Sequence, residues 1–184
     1  MLKKQTLVSS FTSGLNGILT VPGDKSISHR SLIIAGMAIG QTEIRGLLRS
    51  EDVLSTLCAM RQLGVTIEDD LDKNVIAVTG VGTCGFDSPD TPLDLGNSGT
   101  GVRLIMGALA GQPLTARLTG DASLSARPMK RITDPLQQMG AQIGYLPKNE
   151  GKGLLPVTIT GANPTLPLSY STQVASAQIK SAIM

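Results

Sequence analysis

A duplication constrains this chain more than any single motif. Arg49 to Gly80 reads RSEDVLSTLCAMRQLGVTI, then a polar stretch, then VIAVTG. Ala126 to Gly161 reads ARPMKRITDPLQQMGAQI, then a Gly/Lys-rich stretch, then LPVTITG. Gly64 aligns with Gly140 and Gly80 with Gly161, at offsets of 76 and 81. Each copy predicts an amphipathic helix closed by glycine, a short strand, a turn and a second strand. Val53, Leu54, Leu57, Met60 and Leu63 recur at helical spacing in the first copy. Met129, Ile132, Leu136 and Met139 do so in the second, with Pro128 expected near the start of the helix. Units of this kind bury a continuous core by stacking on one another.

Ahead of each copy lies a polar loop that opens a helix of small residues. Asp24-Lys25-Ser26-Ile27-Ser28-His29-Arg30 leads into SLIIAGMAIG, and Leu95-Gly96-Asn97-Ser98-Gly99-Thr100-Gly101 into VRLIMGALAG. Strand candidates follow at Thr42 to Arg45 and Leu114 to Thr119. A third copy opens at Thr172-Gln173-Val174-Ala175-Ser176-Ala177-Gln178 and runs into IKSAIM. The expected fold class is α/β (α+β): repeated βαβαββ units, two complete and a third truncated at Met184. Their approximate spans are 21–93, 94–165 and 166–184. An end inside an apolar helical pattern leads us to expect a portion of a longer protein.

Composition removes several functions. Hydrophobic residues make up 41% of the 184, enough for a core, but aromatics are only 2%. That disfavours base-stacking nucleic-acid platforms. The net charge of +2 conceals segments of +4 (1–50), −7 (51–100) and +5 (101–184). Cys58 and Cys84 form no C-x-x-C pair, and His29 is the lone histidine, so neither a Cys-rich zinc site nor a multi-His metal site is expected. The run from Gly153 to Ile179 is free of charge but interrupted by Pro156, Gly161, Pro164 and Pro167, which argues against a membrane span. No signal-peptide core follows Lys3 and Lys4, and a cytoplasmic setting is expected.

The helix starts suit anions. A helix N-terminus offers unpaired N–H groups and about half a positive charge. Lys25 adds a point charge, Ser26 a hydroxyl donor and Arg30 a planar fork matched to phosphate. Three glycines in Gly96 to Gly101 allow close approach of a ligand to the backbone, though the spacing matches neither a Walker A loop nor G-x-G-x-x-G. Arg127 follows a loop of small residues, Gly120 to Ala126. Were the repeats related by rotation, Lys25, Arg30, Gly99, Arg127 and the Ser176–Gln178 segment would share one face, suited to a ligand with at least two anionic groups.

At these residues the sequence resembles the EPSP synthase family. The matching pieces are PGDKSISHRSLIIAGMA (Pro22 to Ala38), LGNSGTGVRL (Leu95 to Leu104), GDASLSARPMKR (Gly120 to Arg131) and ASAQIKSA (Ala175 to Ala182), in family order. The GDASLSxRPM and SAQxKSA forms are similar to the class II bacterial branch. The resemblance implies two domains, each an inside-out α/β barrel of three βαβαββ units around a pseudo-threefold axis. Residues 21–184 would be most of the first domain. Residues 1–20 would be a strand belonging with a second domain that this sequence lacks and that would be its obligate partner. The implied enzyme is a cytoplasmic monomer of aromatic amino-acid biosynthesis.

The implied reaction transfers the enolpyruvyl group of phosphoenolpyruvate to the 5-hydroxyl of shikimate 3-phosphate and releases phosphate, with no cofactor and no metal. Lys25 matches the lysine between both substrates. Ser26, Arg30 and Ser176 match contacts to shikimate 3-phosphate. Asn97, Gly99 and Arg127 match the phosphoenolpyruvate side, and Gln178 reaches both. Ala177 stands where enteric enzymes carry serine, so only backbone is offered there. Glycine at 99, rather than alanine, implies sensitivity to glyphosate. The match gives His29 no catalytic role, and helix packing is expected for it. This portion alone is expected to bind substrate weakly and to lack turnover. UDP-N-acetylglucosamine enolpyruvyl transferase shares the fold, but it expects Lys-Asn at Lys25-Ser26 and a reactive cysteine in a loop unlike that at Cys84. A non-catalytic anion- or RNA-binding module is the reading from another class.

Overall fold

The computed structural model describes residues 6–172 and 174–184. Lys3, Lys4, Gln173 and the first five residues of the expected 1–20 strand segment lie outside them. Residues 6–24 belong to no helix or strand, and Leu7, Phe11, Leu15 and Ile18 are almost fully exposed. The first repeat then runs α1 (Lys25–Met37), β1 (Ile39–Arg45), α2 (Glu51–Gln62), β2 (Thr66–Asp70) and β3 (Val75–Val81). The second runs β4 (Leu93–Asp94), α3 (Gly99–Ala110), β5 (Thr115–Thr119), α4 (Ala122–Ser125), α5 (Lys130–Gln138), β6 (Gln142–Tyr145) and β7 (Val157–Thr160). The third contributes α6 (Ala177–Ile183).

The two sheets have one plan. The first has strand order β1-β3-β2, all antiparallel. The second has order β4-β5-β7-β6, where β5, β7 and β6 repeat that pattern and β4 adds a parallel strand on the β5 edge. Among the described residues β1 has no such neighbour, so only the second unit shows the complete βαβαββ order. Both sheets are open rather than closed into a barrel.

Local chemistry explains why the copies fold alike. After α2, the Gly64 N–H bonds the Arg61 carbonyl and the Val65 N–H the Met60 carbonyl. After α5, the Gly140 N–H bonds that of Gln137 and the Ala141 N–H that of Leu136. Both are Schellman closures, which need a left-handed residue, and Gly64 (φ +87°) and Gly140 (φ +101°) supply it. The second aligned pair does a different job. A Cβ on Gly80 would lie 2.3 Å from the carbonyl oxygens of Ala35 and Ala38, and one on Gly161 would lie 2.1 Å from that of Gln112 and 2.4 Å from that of Leu109. Each glycine thus lets a strand end touch the closing turn of its unit's small-residue helix.

The predicted helical stripes face inward. Val53, Leu57, Met60 and Leu63 are buried, as are Met129, Ile132 and Leu136, and the buried residues form one cluster through both units. Each such side chain contributes about 1.5–3 kcal/mol of burial. One expectation is corrected: Pro128 precedes α5, which opens at Lys130. The Met129 N–H is held instead by the Gly153 carbonyl. The proline inside α5 is Pro135, sixth of its nine residues, which leaves the helix without one N–H donor. Among the described residues no helix is long and apolar enough to cross a membrane.

Candidate functional site

The three small-residue helices start with the same device. The Asp24 carboxylate accepts from the Ile27 N–H, the Ser98 hydroxyl from the Gly101 N–H, and the Ser176 hydroxyl from the Ile179 N–H. Each cap satisfies one orphan donor three residues on and leaves the neighbouring N–H groups of that turn available. α3 packs against both α1 and α6. A Cβ on Gly107 would meet the Ala182 carbonyl oxygen at 2.2 Å, so α3 and α6 touch backbone to backbone.

A cleft of about 650 Å³ between the starts of α1 and α6 is lined by Ser26, Arg30, Ser176 and Gln178, together with Ile27, Ala177 and Ser181. Two pairs of residues singled out from sequence, Ser26 with Arg30 and Ser176 with Gln178, therefore meet across more than 140 positions of chain. Arg30 spans the cleft. Its Nη1 donates to the Ser26 carbonyl (3.1 Å), and its Nη2 donates to the Ser181 hydroxyl (2.9 Å) and the Ala177 carbonyl (3.4 Å). Ala177 thus contributes a backbone acceptor.

Lys25 does not line this cleft. It sits at the head of α1, ion-paired with Asp52 in the first turn of α2 and half exposed. Asn97, Gly99 and Arg127 form a second group at the start of α3. Arg127 Nη2 donates to Asn97 Oδ1 and to the Ser123 hydroxyl (3.2 Å), while the Asn97 amide nitrogen donates to Asp121 Oδ2 (2.8 Å). No carboxylate pairs with Arg127 among the described residues. A Cβ on Gly99 would stand 2.9 Å from Arg127 Nη1 and 3.0 Å from Arg103 Nη1.

Gln178 joins the two groups. Its Nε2 donates to Thr100 Oγ1 (3.0 Å), and its Oε1 accepts from Arg103 Nη1 (3.0 Å). Sequence reasoning passed over Arg103, Asp52, Asp121 and Ser181. For Arg103 a signal existed: it is the one charge inside VRLIMGALAG, four residues after Gly99 and hence on the same helix face. The acid partners and Ser181 gave no local signal.

His29 is fully buried beneath the site. Its Nδ1 lies 2.8 Å from Thr56 Oγ1 and its Nε2 3.4 Å from Ser98 Oγ, tying α1 to α2 and α3. Burial foremost, then the charge of Lys25 and more weakly that of Arg30, lower its pKa to about 4, against a smaller opposing pull from Asp52. The ring is neutral at pH 7 and acts as packing and hydrogen-bonding material under the helix starts.

Helix starts from repeated units, edged with guanidinium groups that no carboxylate neutralises among the described residues, define an α/β protein whose site is suited to anions. Comparison with known proteins narrows that class. The family model for EPSP synthase (3-phosphoshikimate 1-carboxyvinyltransferase) matches residues 10–184, and the chain belongs to this family. The 3-phosphoshikimate 1-carboxyvinyltransferase of Rhodopseudomonas palustris strain BisB5 is 54% identical over 173 residues, 94% of this chain and 38% of its own. That of Nitrobacter hamburgensis is 55% identical, over 92% of this chain and 38% of its own. The EPSP synthase structure from Acinetobacter baumannii superposes with a TM-score of 0.84 at 47% identity, covering 91% of this chain and 37% of that one. The chain therefore spans about 38% of the length of the curated relatives it matches.

Proposed function

We propose that the protein to which this chain belongs transfers the enolpyruvyl group of phosphoenolpyruvate to the 5-hydroxyl of shikimate 3-phosphate, releasing inorganic phosphate. The observation that carries this reading is the convergence of Arg30, Ser176, Gln178, Gly99 and Arg127 on the starts of α1, α3 and α6. In the reading, Ser26, Arg30 and Ser176 hold shikimate 3-phosphate in the α1–α6 cleft. Asn97, Gly99 and Arg127 receive phosphoenolpyruvate at the start of α3, Gln178 stands between the two ligands, and Lys25 reaches both.

The chemistry is addition followed by elimination. The 5-hydroxyl oxygen gives up its proton and adds to C2 of the enolpyruvyl group while C3 gains a proton, giving a tetrahedral intermediate. Loss of a proton from C3 and of the phosphate group then regenerates the double bond. Both substrates are anions, so preorganised guanidinium groups and helix N–H donors lower the cost of gathering that charge. Lys25 exchanges its Asp52 partner for substrate oxygens as they arrive. An alanine at 99 would press its methyl against two guanidinium groups in the phosphoenolpyruvate pocket, and the glycine present leaves room for glyphosate. Two free, exposed cysteines, Cys58 and Cys84, fit a reducing cytoplasmic location.

Because the chain spans 38% of its relatives' length, we expect it to bind without sustained turnover. Calorimetric titration with shikimate 3-phosphate tests the reading: saturable heat is expected, lost in Arg30→Ala. Saturable binding of UDP-N-acetylglucosamine with none of shikimate 3-phosphate would favour the related nucleotide-sugar transferase and overturn it.

A further inference from the structure

We infer that Arg103 is a positioning residue: it fixes the side-chain amide of Gln178, and so locks the third repeat onto the second at the anion site. The inference rests on the functional reading above and adds a residue to it. Arg103 lies within α3 and is only 8% exposed. One of its nitrogens, Nη1, donates both to the Gly99 carbonyl at 2.8 Å and to Gln178 Oε1 at 3.0 Å. The other end of the Gln178 amide donates to Thr100 Oγ1 at 3.0 Å. An amide turned by 180° would set its NH2 against a guanidinium, donor against donor, so Arg103 selects one of two otherwise similar orientations. It also links a side chain from α6 to the glycine turn at the head of α3.

A packing role alone explains Arg103 poorly. Its Nε is buried without a partner, and no carboxylate pairs with it among the described residues. Burial, and then the neighbouring charges of Arg131 and Arg127, lower its pKa from the usual arginine value. Leucine or methionine would fill an α3–α6 contact without that desolvation cost. A buried cation beside two others is retained at a cost in stability that filling an α3–α6 contact does not require.

The test uses the chain labelled with 15N-glutamine, with the Gln178 side-chain signal identified by its loss in Gln178→Ala. Wild type should show two well-separated, slowly exchanging amide protons. Arg103→Met should move them to the values of free glutamine, and Arg103→Lys should restore them in part. Phosphoenolpyruvate is then titrated with shikimate 3-phosphate present. Arg103→Met should weaken binding about tenfold when Gln178 is intact, and by under about twofold in the Gln178→Ala background. Melting temperatures confirm folding, and should Arg103→Met fail to fold, Arg103→Lys gives the same readouts at smaller amplitude. Unchanged Gln178 signals in a folded Arg103 variant, or losses that simply add in the double variant, overturn the inference. If neither ligand binds wild type, the functional reading fails and the Gln178 signals alone decide the role of Arg103.

Discussion

The two repeats place an arginine at the same point, just before the amphipathic helix, and use it in opposite ways. Arg49 of the first unit grips Asp69 of β2 through two hydrogen bonds of 2.8 and 2.6 Å, which hold the Asp69 carboxyl below its ordinary range. Arg127 of the second unit meets only the neutral oxygens of Asn97 and Ser123. Its positive charge stays available beside Gly99. The backbone plan is shared down to the Schellman glycines and the strand-end glycines, but the short helix α4, which supplies Ser123 to Arg127, has no counterpart before Arg49. A neutralised arginine fastens a hairpin, whereas an uncompensated one at a helix start attracts an anion. The same contrast separates Lys25, masked by Asp52, from Arg30, whose partners across the α1–α6 cleft are all neutral.

The shared plan can be attacked first, where effects are largest. Gly80→Ala and Gly161→Ala each drive a methyl into backbone carbonyls at 2.1–2.4 Å. Each should cost about 3 kcal/mol or more, read as a lowered urea midpoint. A cost confined to one unit would break the equivalence of the repeats.

A second effect belongs to the first unit only. The folded chain lowers His29 to about 4 from its ordinary 6.5, so between those values the unfolded chain binds the extra proton. Stability is therefore full above about pH 6.5, falls as the pH drops through that window and levels off below about 4. The loss reaches up to about 3 kcal/mol. In His29→Gln the decline between pH 6.5 and 4.5, where Asp69 remains charged, should flatten. A wild-type profile already flat across that range would show that His29 does not titrate as its burial requires.

The arginine contrast sets a third, smaller prediction. Arg49→Lys removes a bidentate grip and should cost about 1 kcal/mol of stability while leaving ligand affinity unchanged within about twofold. Arg127→Lys should do the reverse, leaving the denaturation midpoint near wild type and weakening phosphoenolpyruvate binding about tenfold. Titration and denaturation of both variants would expose the distinction as false if the two behaved alike.

What was legible in the sequence follows from the range of the interactions. Helix stripes, glycine closures and strand pairs obey local rules, and the duplication let each copy support the other. The meeting of Arg30 with Ser176 and Gln178 in one cleft followed from the repeat, because equivalent helix starts converge, whereas Lys25, expected on the same face, does not line it. The partners of those residues did not follow. Whether Arg49 finds a carboxylate depends on where Asp69 lies after the hairpin forms, and nothing local to either residue announces the pair. The partner of Arg103 was hidden for a related reason: its acceptor on Gln178 is 75 positions away. The parallel strand β4 is two residues long, too short for any periodicity to announce it.

The most direct test of the central claim, that the repeated helix starts converge on one anion site, is an amide NMR map of the chain titrated with shikimate 3-phosphate. Saturable shifts should concentrate at residues 26–30 and 176–181, extend to Gly99 and Thr100 through Gln178, and leave Arg49 and the β2–β3 hairpin still. Shifts scattered over exposed lysines, or centred on the Arg49–Asp69 pair, would contradict it.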